Sequence, residues 1–396
     1  MHRGKLLINA RRGSVLPLII MAVVLMVTVG VGVLGLGFHS RMLAVRSGAE
    51  IASRCAADAA VASAVFQMNE KLKVKPWDYS WLPTASNVGL LNCDAGFDYT
   101  VSENAGVYTI HGTGRAGHSV HSVEGTLRVY SVFDYALFAR DSLELKNSAT
   151  IDWINNEPGD WPLQVGTNST SSGAITLKNG SHVKGDAVVG VGGNPDDVIS
   201  GIENVEGSAY AMFSKAVLPS VTVPDWLAAM SSGGDITDST PPIGGSGKYN
   251  KINLKKGELI ITAPVVLYIT ENIDLGNGAK ISIDNDASLI IYLAGNLTGS
   301  NSAGFNNITK DAKRLTVYGL DLCVDVRLKN GSDFYGSIYA PNASIIFDNS
   351  NTTYGSIVGQ NLILKNGAFF YYDAALRDRT VNDDAVRFVI QRWSEQ

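Results

Sequence analysis

Cysteine and basic charge are both scarce in this sequence. The three cysteines, Cys55, Cys93 and Cys323, show no CxxC or other metal-ligand spacing, and outside the cytoplasm a Cys55–Cys93 disulfide is conceivable. Lys and Arg number 32 against 37 Asp and Glu, giving a net charge of -5 and no excess of cations for a polyanion. We therefore expect no cofactor, no metal site and no nucleic-acid partner.

Charged residues are also missing between Arg12 and Arg41, where residues 15–38 are almost wholly aliphatic or glycine. A secretory signal has an apolar core of about 7–15 residues, whereas a spanning helix needs about 20, so the run favours a retained membrane anchor. Cleavage at the small-x-small motif Gly35–Gly37 is the alternative. Basic residues before the run predict that everything after residue 40 lies outside the cytoplasm.

The helix is predicted to continue beyond the membrane, because residues 41–72 favour helix and the next proline is Pro76. Small residues recur there every three or four positions, opposite a charged stripe that starts at Arg46 and ends at Asp58. Two interpretations remain open for the small face. It could rest on the protein's own soluble part, or it could pack among helices of its own kind.

Basic residues followed by Gly13-Ser14 and then an uninterrupted apolar helix resemble the class III leader of type IV pilins and pseudopilins. The resemblance implies that prepilin peptidase cuts between Gly13 and Ser14 and methylates the new amine. It also implies that the helix stays in the mature chain, anchored in a bacterial inner membrane, where other pilin-like subunits contact it.

The segment Ala56–Ala60, running on to Asn69, resembles more closely the PilX-type pilus assembly proteins. Major pilins carry a glutamate at the position that is Leu18 here. The departure implies a minor or accessory subunit of a type IV pilus or type II secretion pseudopilus.

Alternating apolar and polar residues at 97–101, 107–113 and 120–129 predict a small antiparallel sheet after a linker. Residues 73–86 form this linker, and its tryptophans Trp77 and Trp81 are expected to be exposed. The predicted domains are a leader at 1–13, the helix at 14–72, and the linker and sheet at 73–131.

One corner phrase recurs four times after residue 131, as Leu-Lys-Asn at 145, 177, 328 and 364. Tyr-Gly-Ser-Ile also recurs, at 335 and again 19 residues later at 354. Short aliphatic strands with such repeated corners predict a parallel β-helix over residues 132–380, with 231–247 and 193–224 as excursions and a C-terminal strand or tail at 381–396. The predicted class is mainly β, with one long helix. The region from Asn272 onward resembles a domain of unknown function often joined to PilX-like N-termini.

No enzyme is predicted, because the aspartates of this region form no recurring pair on a shared face. His111, His118 and His121 are interpreted as exposed strand residues, since a strand turns the last two to opposite faces.

Two function classes remain. One is a minor pilin-like subunit, and the other is a membrane-anchored surface binding protein or adhesin. The latter would hold a glycan against the aromatic residues 369–372.

Overall fold

The computed structural model describes residues 15–154, 163–331, 333–378, 380–383 and 386–395. The chain divides into two compact units. The first comprises the residues up to Met68, Tyr79–Arg128 and the chain from Ile390, and the second comprises Asn69–Asp78 and Val129–Val389. The domain limits predicted from the sequence stay predictions.

A single helix, α1 (Leu16–Leu72), dominates the first unit. It runs without a break from the apolar segment into the charged and alanine-rich segment, as the sequence predicts, because no proline interrupts residues 18–75. Between Leu16 and Gly48 nearly every side chain is exposed. This stretch has the length and composition to cross a membrane.

The first unit also contains an antiparallel sheet. Its strands in chain order are β1 (Thr84–Gly89), β2 (Ala95–Asn104), β3 (Val107–Ala116) and β4 (Ser119–Ser131). The β2–β3 hairpin closes through Ala105 and Gly106, which both have positive φ, as a two-residue turn requires. The last strand of the chain, β28 (Val386–Glu395), lies beside β4. The three predicted strands are confirmed as β2, β3 and β4, whereas β1, which begins inside the predicted linker, and β28 extend the sheet to five strands.

The second half of α1 packs on this sheet through small residues. The fully buried positions recur at helical spacing and are Ser53, Ala56, Ala57, Ala60, Val61, Ala64 and Met68. Glycines on β3 receive them, since a Cβ on Gly112 would lie 3.1 Å from that of Ala60. Of the two interpretations of the small face, the structure supports packing on the protein's own soluble part for residues 53–68.

The second unit consists mainly of parallel strands that pair side by side in columns. The first column is, in spatial order, β14 (Gly247–Tyr249), β17 (Pro264–Ile269), β20 (Ser288–Leu293), β23 (Leu315–Gly319), β25 (Phe334–Phe347), β26 (Thr352–Leu364), β5 (Leu137–Leu145), β7 (Gln164–Thr167), β10 (Asp186–Val189) and β12 (Ala209–Ala211). The second column is β13 (Ile236–Thr237), β15 (Ile252–Leu254), β18 (Ile273–Leu275), β21 (Leu297–Gly299), β24 (Asp325–Leu328), the later residues of β25, β26 and β5, then β8 (Ile175–Leu177) and β11 (Ile199–Ser200). The remaining strands are β16 (Glu258–Ile261), β19 (Lys280–Ile283) and β22 (Gly304–Asn307) in one sheet, and β27 (Phe369–Tyr372), β6 (Thr150–Trp153) and β9 (His182–Val183), which continue from the first residues of β25 and β26.

The spatial order of these strands differs from their order in the sequence. Strand β26, near the C-terminus, pairs with β5, the first parallel strand of the chain. The leucines of the corner phrase therefore fall into one buried line in which Leu364 pairs with Leu145 and Leu145 with Leu177. The four copies of the phrase occupy equivalent positions, as the repeat indicates. However, β5, the first parallel strand in the sequence, lies in the middle of the column between β26 and β7.

Apolar side chains pointing between the columns form one continuous core. A second apolar layer lies on the outer side of the first column, under the segment 212–230. There the Tyr339 hydroxyl donates to the Pro219 carbonyl oxygen over 2.7 Å, and Leu227 is fully buried. Short helices are α2 (Pro195–Val198) and α3 (Asp225–Ala228), and 3-10 turns occur at Val132–Asp134, Ile202–Asn204, Ala312–Arg314 and Ala374–Arg377.

Mainly β architecture with one long apolar helix, an antiparallel sheet and parallel strands is confirmed. Several details of the sequence prediction are wrong. Residues 199–211 belong to the columns rather than to an excursion, because Ile199 and the alanines of β12 pack against the core. Residues 236–237, inside the other predicted excursion, form β13 of the second column, where Ile236 is fully buried. Trp77 is buried, since its ring packs 5.7 Å from that of Phe388, whereas Trp81 is exposed as predicted.

Candidate functional site

The predicted processing site, Gly13 and Ser14, lies outside the residues that the structure describes. The helix that follows it has two contrasting halves. The apolar residues of its first half are exposed, whereas its second half rests on the sheet. The free half is therefore available to lipid or to other helices.

The charged stripe on the second half of α1 is exposed, although Arg54 also reaches His121 on β4. Arg54 and Glu50 form an ion pair of 3.3 Å with both side chains about half exposed, and Asp58 is also exposed. Exposed pairs of this kind contribute little to stability. The stripe consequently keeps this part of the helix soluble while the alanine face is covered.

Three tyrosines form an outward row on the second unit. Tyr335, Tyr354 and Tyr371 are paired in register on adjacent strands, each half-buried. Ring centroids are 4.2 Å apart between Tyr335 and Tyr354, with planes 3° apart, and 5.0 Å apart between Tyr354 and Tyr371. We call these three side chains the tyrosine row. Its spacing follows from the distance between neighbouring strands.

The Tyr335 phenol stays protonated at physiological pH. Burial, and then hydrogen bonding to Tyr354, raises the pKa of Tyr335 far above its ordinary value. A protonated phenol donates one hydrogen bond and accepts others. Tyr335 therefore presents a hydroxyl group rather than charge.

Polar groups continue the row at both ends. Beyond Tyr335, the Lys310 ammonium lies 5.9 Å from its ring centroid. Beyond Tyr371, the next strand places Asp152 in register, and this carboxylate pairs with Lys184 over 2.6 Å. That pair raises the pKa of Lys184, chiefly through its hydrogen bond. Lysine thus stands near both ends of the row.

The aromatic run 369–372 is split between two faces of its strand. Phe370 and Tyr372 are fully buried in the core, whereas Phe369 is 44% exposed and Tyr371 joins the outward row. Alternate residues of a strand point to opposite faces, so only half of the predicted aromatic surface exists. Tyr335 and Tyr354 also belong to this surface, and their 19-residue repeat is the sequence signal that could have identified them.

The histidines and cysteines that the sequence offers as candidate metal ligands or disulfide partners are spread over both units. His111 lies 3.5 Å from Glu124, and the Arg54 guanidinium donates to His121 over 3.4 Å. Within the described ranges, no three His, Cys, Asp or Glu side chains are placed to hold a metal ion. Cys55 and Cys93 are both exposed and free, and Cys323 is buried, where burial raises the pKa of its thiol to about 12.

Corner asparagines form a ladder beside the corner lysines. Asn179 donates to Asn147 over 2.7 Å, and Asn366 donates to Asn349 over 2.9 Å, with Asn147 and Asn366 hydrogen-bonded between them. Asn147 and Asn179 have positive φ, a conformation that asparagine tolerates well. These repeated residues hold corners together, which is a structural role.

Comparisons with known proteins leave the family open. A model of a domain of unknown function, DUF7305, matches residues 246–379, which is less than half of the chain. No curated protein matches the sequence.

Solved structures similar to this chain fall into two groups. The competence-associated pilin ComZ from Thermus thermophilus is 12% identical, with 88% of this chain and 97% of that chain covered and a TM-score of 0.23. A glycosylated ice-binding protein from an Arctic yeast is 15% identical, with 62% and 94% covered and a TM-score of 0.27. An ice-binding protein from an Antarctic bacterium of the Flavobacteriaceae is 12% identical, with 61% and 97% covered and a TM-score of 0.24. Scores this low do not establish a shared fold or function.

Proposed function

We propose that this protein is a minor pilin-like accessory subunit of a type IV pilus or type II secretion pseudopilus. The observation that carries the proposal is the division of α1, whose apolar half is free while its alanine face rests on an antiparallel sheet. Such a helix can leave the membrane with its sheet attached and enter a filament. Its partners would be other pilin-like helices, the membrane and a prepilin peptidase, in a single-pass inner-membrane protein with its C-terminal part outside.

The parallel strands would form a β-helix that the anchor displays outside the membrane. Register pairing of β17 with β20 and of β20 with β23, with intervening strands in the other columns, supports this winding. Its role in the proposal is structural and non-enzymatic. One turn of this proposed β-helix is called a coil.

Processing provides the direct test. The mature protein in membrane fractions should begin at Ser14 with a methylated amine, as detected by mass spectrometry of the N-terminal peptide. Gly13→Ala should leave precursor uncut, whereas Gly4→Ala, which lies earlier in the same basic segment, should be processed normally. A mature N-terminus near Phe38 would show an ordinary signal sequence and remove the basis of the proposal.

The proposed minor role rests on Leu18, where major pilins carry glutamate. Quantitative mass spectrometry of sheared filaments should show this protein at a small fraction of the most abundant pilin. Equimolar incorporation along the filament would contradict a minor role.

A second candidate is a membrane-anchored surface binding protein or adhesin for glycans. The half-exposed tyrosine row favours it, because three stacked aromatic side chains with polar groups beyond both ends lie on one outer face. Complete absence from filaments, together with retention in the membrane, would favour this candidate over the first.

A further inference from the structure

The tyrosine row exposes ring edges rather than ring faces. Rings that stack at 4.2 Å and 3° cover each other, so the middle ring, Tyr354, has a neighbouring ring on both sides. Lys310 lies over the outer side of Tyr335. A ligand therefore meets a strip of phenol hydroxyls and ring edges, and it cannot insert between the rings without breaking the stack.

Hydrogen-bonding groups extend this strip along the β-helix. Asn306 donates to the Ser282 hydroxyl over 3.2 Å, and that hydroxyl donates to Glu258, on three successive strands before Tyr335. Thr150 and His182 are paired in register with Phe369 on the strands after the row. Outward-facing polar or aromatic groups thus occur on several neighbouring strands, with the buried Ser282 hydroxyl linking Asn306 to Glu258.

Charge along the strip is nearly balanced. Lys280, Lys310 and Lys184 are offset by Glu258 and Asp152, and Lys184 is bound to Asp152. A strip of this kind has no net attraction for a polyanion. It fits a neutral ligand that carries many hydroxyl groups.

The period of the strip identifies the shape of such a ligand. Neighbouring strands lie about 4.8 Å apart, a distance close to the length of one hexopyranose unit in an extended chain. We propose that the tyrosine row binds a neutral linear polysaccharide that runs parallel to the β-helix axis, with one sugar unit facing each coil. The phenols donate to or accept from sugar hydroxyls, and Phe369 supplies an apolar edge.

The proposal is tested on the full chain in detergent by affinity electrophoresis through gels that contain a polysaccharide. Four neutral polymers serve as probes: hydroxyethyl cellulose, glycol chitin, dextran and mannan. Wild type should be retarded by at least one of them. The triple variant Y335F/Y354F/Y371F keeps the stacked rings and removes only the hydroxyls, and it should bind about tenfold more weakly, the combined effect of several lost hydrogen bonds.

Two further variants separate binding from folding. Tyr210→Phe removes another exposed phenol, which lies away from the row and is hydrogen-bonded to Gln164, and it should bind like wild type. Phe369→Ala changes a 44% exposed ring and should weaken binding several-fold without lowering Tm. The proposal would be overturned if the triple variant bound as tightly as the wild-type protein. It would also be overturned if the wild-type protein were retarded by none of the four neutral polymers, or only by the acidic polymer alginate.

This inference goes beyond the filament role and can fail independently of it. A chain that is processed at Ser14 and found in filaments, yet passes all four gels unretarded, would contradict polysaccharide binding only. A chain that binds dextran but begins near Phe38 would contradict the filament role only.

Discussion

Gly114 of β3 lies directly against the backbone of α1 at Ser53. A Cβ on Gly114 would come within 2.8 Å of the Ala56 carbonyl carbon and closer still to the Ser53 carbonyl oxygen. The helix and the sheet approach this closely because glycine faces small residues there. The contact makes this position sensitive to a single methyl group.

Gly114→Ala should therefore destabilise the first unit by about 1–3 kcal/mol or more, because backbone atoms must move to admit the methyl group. Gly89→Ala is the matched control, since nothing lies within 4 Å of a Cβ there. Hydrogen exchange of β2 and β3 in the full protein should be faster in the Gly114 variant only. Equal protection in both variants would show that the helix is not held at this point.

Asn69, near the end of α1, fixes the last strand by a reciprocal pair of hydrogen bonds. Its amide nitrogen donates to the Phe388 carbonyl oxygen over 3.2 Å, and its amide oxygen accepts from the Phe388 backbone N–H over 2.8 Å. Asn69→Ala should cost about 1–3 kcal/mol, because buried backbone groups lose their partner. Hydrogen exchange of residues 386–389 should accelerate. Gln67→Ala, at an exposed helix position, is the control and should leave exchange unchanged.

Asp348 joins two strands through Arg327 and Lys365. Its carboxylate is 8% exposed and lies 2.9 Å from the Arg327 guanidinium and 2.6 Å from the Lys365 ammonium. Burial alone would raise the pKa of Asp348, but the hydrogen bonds from Lys365 and Arg327 outweigh it, so the pKa is lowered.

Asp348→Asn should consequently destabilise the second unit by about 1–3 kcal/mol at neutral pH. A lowered folded-state pKa contributes stability that is complete above the unfolded value of about 3.9 and is lost as the pH falls through the folded value. The difference in Tm between wild type and variant should therefore shrink below about pH 4. Asp378→Asn alters an 82% exposed carboxylate and should change stability by less than about 0.5 kcal/mol. A difference in Tm that is constant down to pH 2 would contradict the role of the charge.

One coil of the second unit should be removable. Tyr335 pairs with Tyr354 and Gly336 with Gly355, so deletion of residues 335–353 joins Phe334 to an equivalent position in the next coil. Each coil contacts mainly its neighbours, so the shortened protein should remain folded by circular dichroism. Deletion of 335–343 should instead reverse the inward and outward faces and cause aggregation. Equal folding of the two deletions would argue against the coil period.

Local features of this fold could be read from the sequence because they depend on local chemistry. The absence of proline predicts α1, alternation predicts β2 to β4, and the corner phrase predicts equivalent corners that include Asn147 and Asn366. The spatial order of the parallel strands could not be predicted in this way. Leu364 pairs with Leu145, although the two residues are distant in the chain. Because the four copies of the corner phrase are nearly identical in sequence, the sequence does not indicate which copies lie on adjacent strands.

The candidate site was predicted only in part for a similar reason. Phe369 and Tyr371 were recognised from their sequence run, but Phe370 and Tyr372 point inward, and the run alone does not fix which alternate pair is buried. Trp77 was expected on the surface because it lies in a proline-containing linker. Its burial depends on Phe388, more than 300 positions later, so no local pattern indicates it.

The pairing of β26 with β5 also sets when this protein can finish folding. Strand β5 is synthesised more than 200 residues before its partner, so until β26 follows, the early parallel strands have an unpaired edge. Contacts that are so distant in sequence close slowly, and open strand edges invite association with other chains. In the proposed membrane-anchored topology, helix α1 would hold the unfinished chain at the membrane while a holding chaperone covers its open edge.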